Sequence, residues 1–324
     1  MSGGSNVPAK ILFFVTEDWY FCSHRLPLAV AAREAGHEVT VLTRVRQHGG
    51  VIKSHGLKLV PIELSRHGLN PLADLPLVAR LVRIYREERP VLVHHVAMKP
   101  ILYGSLAALM AGVPAVVNAF PGLGYLYASA DPRARLARTL LESALRWLLK
   151  RPNTRTILQN SDDLERLAKN SVLEPARTVL IRGSGVDLSE YVPQPEPDGV
   201  PLVLLASRML WDKGVGEFVT AARDLCDRGI AARFALVGGT DSGNPRAVSI
   251  AQLNAWNKSE VVEWRGRQDD MPAVFADSHI VCLPTYYGEG VPKVLIEAAA
   301  CGRPIVATDT GGCREIVRHG ENGL

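Results

Sequence analysis

Only 6% of the 324 residues are aromatic, and cysteine is limited to Cys22, Cys226, Cys282, Cys301 and Cys313. These scattered thiols, odd in number, match no metal-ligand spacing and no disulfide framework, so they read as reduced, buried side chains of a cytoplasmic protein. The opening "MSGGSNVPAK" has no apolar signal core, and "ILFFV" behind it has only the length of one strand. No Gly-x-Gly-x-x-Gly follows that strand, which argues against a dinucleotide oxidoreductase. Charge is absent between Lys99 and Asp131, a stretch long enough to be scanned as a membrane span. Pro114, Asn118, Pro121 and a Gly-rich tail break it into a short helix, a strand and a loop, the piece lengths of a soluble α/β core.

What is present is an alternation of apolar strands and amphipathic helices. "KILFFVTE", "HEVTVLTR", "GLKLVPIEL", "VLVHHV" and "AVVNAF" read as strands, with helices at "LPLAVAAREAG", "LADLPLVARLVRIYREERP" and "ILYGSLAALMAGVP". A second series follows: strands "LVLLASRM", "ARFALVGG", "VVEWRG", "HIVCLPT" and "RPIVATD", with helices at "VGEFVTAARDLCDRG", "MPAVFAD" and "PKVLIEAAACG". Such alternation predicts parallel βαβ units, and 324 residues exceed one ordinary core. The expected architecture is α/β, two doubly wound domains facing a cleft: 1–192 and 193–324, joined at the Pro-rich, acidic stretch "PQPEPDGVP". Charge follows the division, with 23 Lys and Arg against 14 Asp and Glu through residue 180, and 14 against 19 beyond it.

Two stretches carry chemistry. In "YYGEGVPKVLIEAAACG", Glu289 lies in a turn and Glu297 inside the following helix, about 12 Å apart along a helical axis. Free N–H groups at that helix start attract anions such as phosphate. A carboxylate there has another use, accepting hydrogen bonds from hydroxyl groups, and two acids so spaced suit the sugar and ribose ends of an extended ligand. In "ASRMLWDKG", Arg208 and Lys213 stand on a strand-to-helix turn, a planar fork and a point charge suited to a diphosphate. The plain alternative is a solvated turn acid, a helix-surface acid and an exposed pair of cations.

With these residues in place the chain resembles a GT-B glycosyltransferase of the large retaining family 4, whose signature is a Glu, seven residues and a Glu, preceded by an Arg and a Lys. "RGSGVDLSEY" and "GGCREIVRHGENGL" resemble the family's domain junction and closing Gly-rich segment. "TEDWYFCSHRLPLA", "SRHGLNPL", "ASRMLWDKGVGEF" and "LVGGTDSGNP" are similar to the bacterial branch that adds hexose or N-acetylhexosamine to polyprenyl-diphosphate-linked glycans. The resemblance implies transfer with retention from a nucleotide diphosphate sugar, UDP-sugar foremost, in polysaccharide biosynthesis. It implies Glu289 on the donor sugar, Glu297 on the ribose and Arg208 with Lys213 on the diphosphate. Gly290, Val291, Gly238 and Arg267 would line the donor, Arg267 reading equally well as a surface charge. No Asp-x-Asp pair stands out, so no metal or cofactor is expected, and no nucleic-acid partner.

The chain also departs from the family. Its first loop, "TEDWYFCSHR", is not Gly-rich, and "NAFPGLG" lacks the family's His, which puts that His-mediated contact in doubt. Acceptor contacts fall instead to Glu17, His24, Arg25 and Lys99, with a capping role open for His24. The C-terminal domain reads as incomplete, since relatives continue beyond the position of Leu324. A GT-B sugar-nucleotide 2-epimerase and a non-catalytic nucleotide-binding scaffold are the alternatives. Finally, "DPRARLARTLLESALRWLLKR" is a basic amphipathic helix whose Leu136, Leu140, Leu141, Ala144, Leu145 and Leu148 form one stripe. The stripe is expected to pack on the N-terminal sheet, and the basic residues to dock reversibly on the inner face of the cytoplasmic membrane, without a span.

Overall fold

The computed structural model describes residues 8–64, 74–124, 127, 131–241, 243–286 and 288–324, apart from the side chains of 132–134. The motif "SRHGLNPL" lies outside them. Two compact units divide the chain, Met1–Ser184 and Gly185–Leu324.

The first unit holds strands β1 (Lys10–Glu17), β2 (Glu38–Arg44), β3 (Lys58–Pro61), β4 (Leu92–Val96), β5 (Ala115–Ala119), β6 (Thr154–Leu158) and β7 (Thr178–Leu180). They pair in parallel in the order β3-β2-β1-β4-β5-β6-β7. The second unit holds β8 (Leu202–Ala206), β9 (Arg233–Val237), β10 (Glu263–Trp264), β11 (Ile280–Leu283) and β12 (Ile305–Ala307), parallel in the order β10-β9-β8-β11-β12. In each sheet the chain winds outward one way and then returns to the other side of its first strand. The reversal falls between β1 and β4, and between β8 and β11. At such a switch point the connecting loops part and leave a crevice at the carboxyl ends of the strands.

Burial explains the strand sequences. Along β1, Leu12 and Phe14 enter one core with Tyr85, Val93 and Val116, while Phe13 and Val15 enter another with Phe21, Val41 and Ile52. Both faces of the sheet are covered, so the strand is apolar throughout instead of alternating. Each fully buried Leu or Phe contributes about 1.5–3 kcal/mol. The uncharged stretch resolves into a π-helical turn at Pro100–Gly104, the helix Ser105–Ala111 and strand β5. No described helix is long and apolar enough to cross a membrane.

Several local expectations change. The loop "TEDWYFCSHR" contains the helix Asp18–His24, fixed by the fully buried Asp18 carboxylate, which accepts N–H bonds from Trp19 at 2.8 Å, Arg46 at 2.7 Å and His48 at 2.8 Å. Residues 185–192 belong to the second compact unit, because Tyr191 packs on Phe275 and donates its hydroxyl to Glu297. The Pro-rich stretch is no loose linker: Arg303 donates to the carbonyls of Gln194 and Pro195, and the Pro197 carbonyl lies 2.8 Å from His279 Nε2. The Leu stripe of the helix Pro132–Leu149 is split, with Leu141, Leu145 and Leu148 buried but Leu136 and Leu140 exposed. Among the thiols, Cys301 and Cys313 are buried, Cys22 and Cys282 partly so, and Cys226 is exposed, against expectation.

Candidate active site

The β8–β11 switch point brings together Lys213 and Glu289, with Arg208 on the β8 loop. β8 ends at Ala206 and leads through Arg208 into the short turn Trp211–Lys213 and the helix Val215–Asp227. β11 ends at Leu283 and leads through Thr285 and Glu289 to the helix Lys293–Ala300, with Pro292 at its N-cap. Because β8 and β11 are hydrogen-bonded neighbours, both loops leave the same edge side by side. Lys213 Nζ lies 2.5 Å from Glu289 Oε1, with the two side chains only 13% and 16% exposed. The Thr285 hydroxyl is shared between Glu289 Oε1 at 2.9 Å and the Asp212 carbonyl at 3.1 Å.

Arg208 pairs with Asp241 at 2.8 Å, and its side chain is 37% exposed. Asp241 comes from the loop after β9. A second ion pair ties that loop down, Arg246 Nε to Asp212 at 2.7 Å, with the Trp211 N–H donating to the Arg246 carbonyl at 2.9 Å. The cations expected to hold a diphosphate are therefore each held against a carboxylate.

Gly238 and Gly312 show how closely the loops pack. At Gly238 φ is 142°, and a Cβ would lie 1.7 Å from the Ser207 carbonyl oxygen. A Cβ on Gly312 would lie 1.8 Å from the carbonyl oxygen of Gly290, so the closing Gly-rich segment rests on the backbone of the Glu289 loop. Val291 is buried beside it.

Glu297 is buried in its helix instead of lying on a solvated face; it accepts from the Tyr191 hydroxyl at 3.1 Å and pairs with Lys293 at 3.3 Å. Burial first, and then the Glu297 carboxylate, push the Tyr191 phenol up, so it stays a neutral donor. Arg267 is an exposed side chain paired with Asp269 at 3.2 Å.

In the first unit, Glu17 ends β1 and pairs with Arg44 at 3.0 Å. Lys99 follows β4 and pairs with Asp74 at 3.4 Å, while Asp74 also accepts from the Tyr103 hydroxyl at 2.6 Å. Both lie at the carboxyl side of the β1–β4 switch point. Arg25 sits between the helices Asp18–His24 and Leu26–Glu34, buried, donating to the His24 carbonyl at 3.0 Å. Burial, foremost, pulls its pKa below the ordinary arginine range. The His24 ring stacks on Tyr20 with centroids 4.1 Å apart.

Sequence reasoning passed over the partners Asp212, Asp241, Arg246, Tyr191 and Asp74. Asp212, Asp241 and Tyr191 stand inside the motifs above, but no spacing links residues that only the folded chain brings together. It also passed over His94 and His95 on β4, held by burial at about 3 and about 4 and hence neutral. His95 Nδ1 donates to Asn118 Oδ1 at 2.9 Å, and its Nε2 accepts from the Tyr85 hydroxyl at 3.0 Å, so this buried ring is satisfied within the core.

Two family models match: "Glycosyl transferase 4-like" over residues 10–161 and "Glycosyl transferases group 1" over residues 200–324. The chain is 30% identical over 313 residues to the N,N'-diacetylbacillosaminyl-diphospho-undecaprenol alpha-1,3-N-acetylgalactosaminyltransferase of Campylobacter jejuni, covering 93% of this chain and 80% of that one. It is 23% identical over 267 residues to the UDP-Gal:alpha-D-GlcNAc-diphosphoundecaprenol alpha-1,3-galactosyltransferase of Escherichia coli, covering 78% of this chain and 66% of that one. Among solved structures, Anabaena HepE in complex with UDP and glucose superposes with a TM-score of 0.73 at 21% identity, covering 98% of this chain and 85% of that one. A sucrose-phosphate synthase from Thermosynechococcus elongatus does so at 0.75 and 19%, covering 97% and 85%. With both sheets doubly wound and the match to the Campylobacter enzyme running through both units, the chain belongs to the group 1, family-4-like glycosyltransferases of the GT-B fold.

Proposed function

We propose that the protein transfers a hexose or N-acetylhexosamine, with retention, from a UDP-sugar to a polyprenyl-diphosphate-linked glycan, as a family 4 enzyme of bacterial polysaccharide or glycan assembly. The observation that carries this reading is the Lys213–Glu289 pair at the β8–β11 switch point, with Arg208 on the same loop as Lys213. As the bond between the anomeric carbon and the diphosphate oxygen breaks, the nucleoside diphosphate leaves with the electron pair, an acceptor hydroxyl oxygen bonds to that carbon, and the hydroxyl proton goes to the leaving diphosphate. Arg208 and Lys213 stabilise the charge that grows on it, and groups held in place beforehand supply several kcal/mol of the barrier. Glu289, released from Lys213 as the cation turns to the diphosphate, accepts hydrogen bonds from the donor sugar. Glu297 takes the ribose, and Gly290, Val291 and Gly238 line the rest of the donor. Arg208 and Lys213 neutralise the diphosphate without a metal.

In the same reading the first unit binds the acceptor and the second the donor. Glu17, His24, Arg25 and Lys99 are the acceptor-side candidates. The relatives from Campylobacter and Escherichia coli, whose names both specify a diphospho-undecaprenol acceptor, support an acceptor of that chemistry. The enzyme works in the cytoplasm and docks reversibly, through its basic first unit, on the anionic inner leaflet where such an acceptor resides.

The test is incubation with labelled UDP-N-acetylgalactosamine or UDP-galactose and a polyprenyl-diphosphate-linked saccharide. Labelled glycan with an α linkage and free UDP is the expected result. Epimerised sugar nucleotide, or neither product with any donor, would overturn the reading.

A further inference from the structure

The helix Pro132–Leu149 carries a second row, apolar apart from Ser143, turned away from its core-facing one. Leu141, Leu145 and Leu149 pack with Phe120, Leu158 and Leu167. Leu136, Leu140, Ser143 and Trp147, spaced four, three and four residues apart, lie along one line of the opposite side, about 16 Å long. Leu136 and Leu140 are each 66% exposed and Trp147 56%. Isolated exposed leucines are ordinary, but a row ending in a tryptophan on one helix face is a surface with a use.

At the end of the row Trp147 opens on a shallow cavity of about 580 Å³ lined by Ser143, Arg146, Trp147, Lys150, Arg151 and Pro152. The Arg151 guanidinium lies 5.0 Å from the Trp147 ring centroid. The Arg146 side chain is engaged in part at the C-terminal end of the helix Ser161–Lys169, donating to the carbonyls of Asn170 and Ser171. Lys150 is exposed beside it. The patch thus joins an apolar line, an amphipathic ring and a rim of cations in that order along the helix and just past its end.

Resting on the membrane docking proposed above, we infer that this row is the insertion face: Leu136, Leu140 and Trp147 enter the interfacial layer of an anionic bilayer, and lipid phosphates occupy the basic cavity. An interfacial helix buries its apolar side just below the headgroups, the level at which tryptophan is enriched. A second copy of this chain is the weaker occupant, because three apolar side chains along about 16 Å of one helix fall far short of the roughly 20–30 residues a side that a stable interface uses. Attraction by the cations alone would hold the domain off the surface, whereas this face brings Trp147 into contact with acyl chains.

The experiment uses the whole chain and vesicles of phosphatidylglycerol and phosphatidylcholine, with brominated acyl chains in one set. The parent is expected to co-sediment with the anionic vesicles and to have its tryptophan emission quenched by brominated lipid. Trp147→Phe should keep most of the binding and lose the quenching. Leu136→Ser with Leu140→Ser, and Lys150→Glu with Arg151→Glu, should each weaken binding by about tenfold or more with unchanged far-UV circular dichroism. Binding without Trp147-dependent quenching would overturn this face and leave the docking reading standing; no binding at any lipid composition would remove both. A leucine variant that abolishes self-association while binding vesicles like the parent would make the row a protein interface and overturn the inference.

Discussion

Glu289→Gln separates the sugar end of the proposed donor site from its diphosphate end. The substitution keeps an oxygen for the Thr285 hydroxyl but removes the charge facing Lys213 at 2.5 Å. At that distance two unit charges attract by ~7 kcal/mol for an effective dielectric of about 20, most of which desolvation offsets. The side chains are 13% and 16% exposed, between a surface pair and a fully buried one, so loss of one partner destabilises the fold by about 1–3 kcal/mol. A thermal midpoint lowered by several degrees is expected. Lys213, no longer opposed by a carboxylate, binds UDP as well as before or up to about tenfold tighter, a change of at most ~1.4 kcal/mol. Turnover falls by about a hundredfold or more, because the sugar loses a preorganised partner. Calorimetry with UDP and release of free nucleotide from a labelled UDP-sugar measure the two effects separately. A tenfold loss of UDP affinity, or turnover equal to the parent's, would refute the division of roles.

Three further outcomes are expected. Arg208→Ala should weaken UDP binding by about 1.5–3 kcal/mol, the worth of a charge-assisted hydrogen bond, and calorimetry showing unchanged affinity would remove Arg208 from the diphosphate. Gly238→Ala should destabilise the chain by about 2 kcal/mol or more, seen as a lowered denaturation midpoint, since a Cβ at φ 142° would sit 1.7 Å from the Ser207 carbonyl oxygen. Burial holds His94 at about 3 and His95 at about 4, below the ordinary 6.5, so both are neutral in the fold and take up protons on unfolding. The stability they support is complete above pH 6.5 and falls toward pH 4 by up to about 1.4 kcal/mol per pH unit for each ring. His95→Gln, which keeps a donor for Asn118 and an acceptor for Tyr85, should flatten that fall in denaturation midpoints between pH 7 and pH 5; an equal fall in parent and variant would refute it.

The sequence by itself determined the class of fold and the order of most elements. A strand buried on both faces must be apolar throughout, so "KILFFVTE" and "LVLLA" announced themselves, and the helices between them imposed parallel pairing. The candidate donor residues were legible for a similar reason: Arg208, Lys213 and Glu289 follow strand ends within one loop length. What the tertiary structure alone decided was which charges meet. Asp241 is 33 residues from Arg208, a pair that exists only because β8 and β9 are neighbours whose loops leave one edge; Tyr191 is 106 from Glu297 and meets it only because it packs on Phe275 in the same core. The helix Asp18–His24 escaped the pattern because its anchor, Asp18, takes its N–H groups from beyond β2. The leucines of Pro132–Leu149 looked like one stripe because a heptad-like spacing records periodicity, not partners. Packing assigned Leu145 to the core and left Leu140 to solvent, since the neighbouring elements cover only one side of that helix.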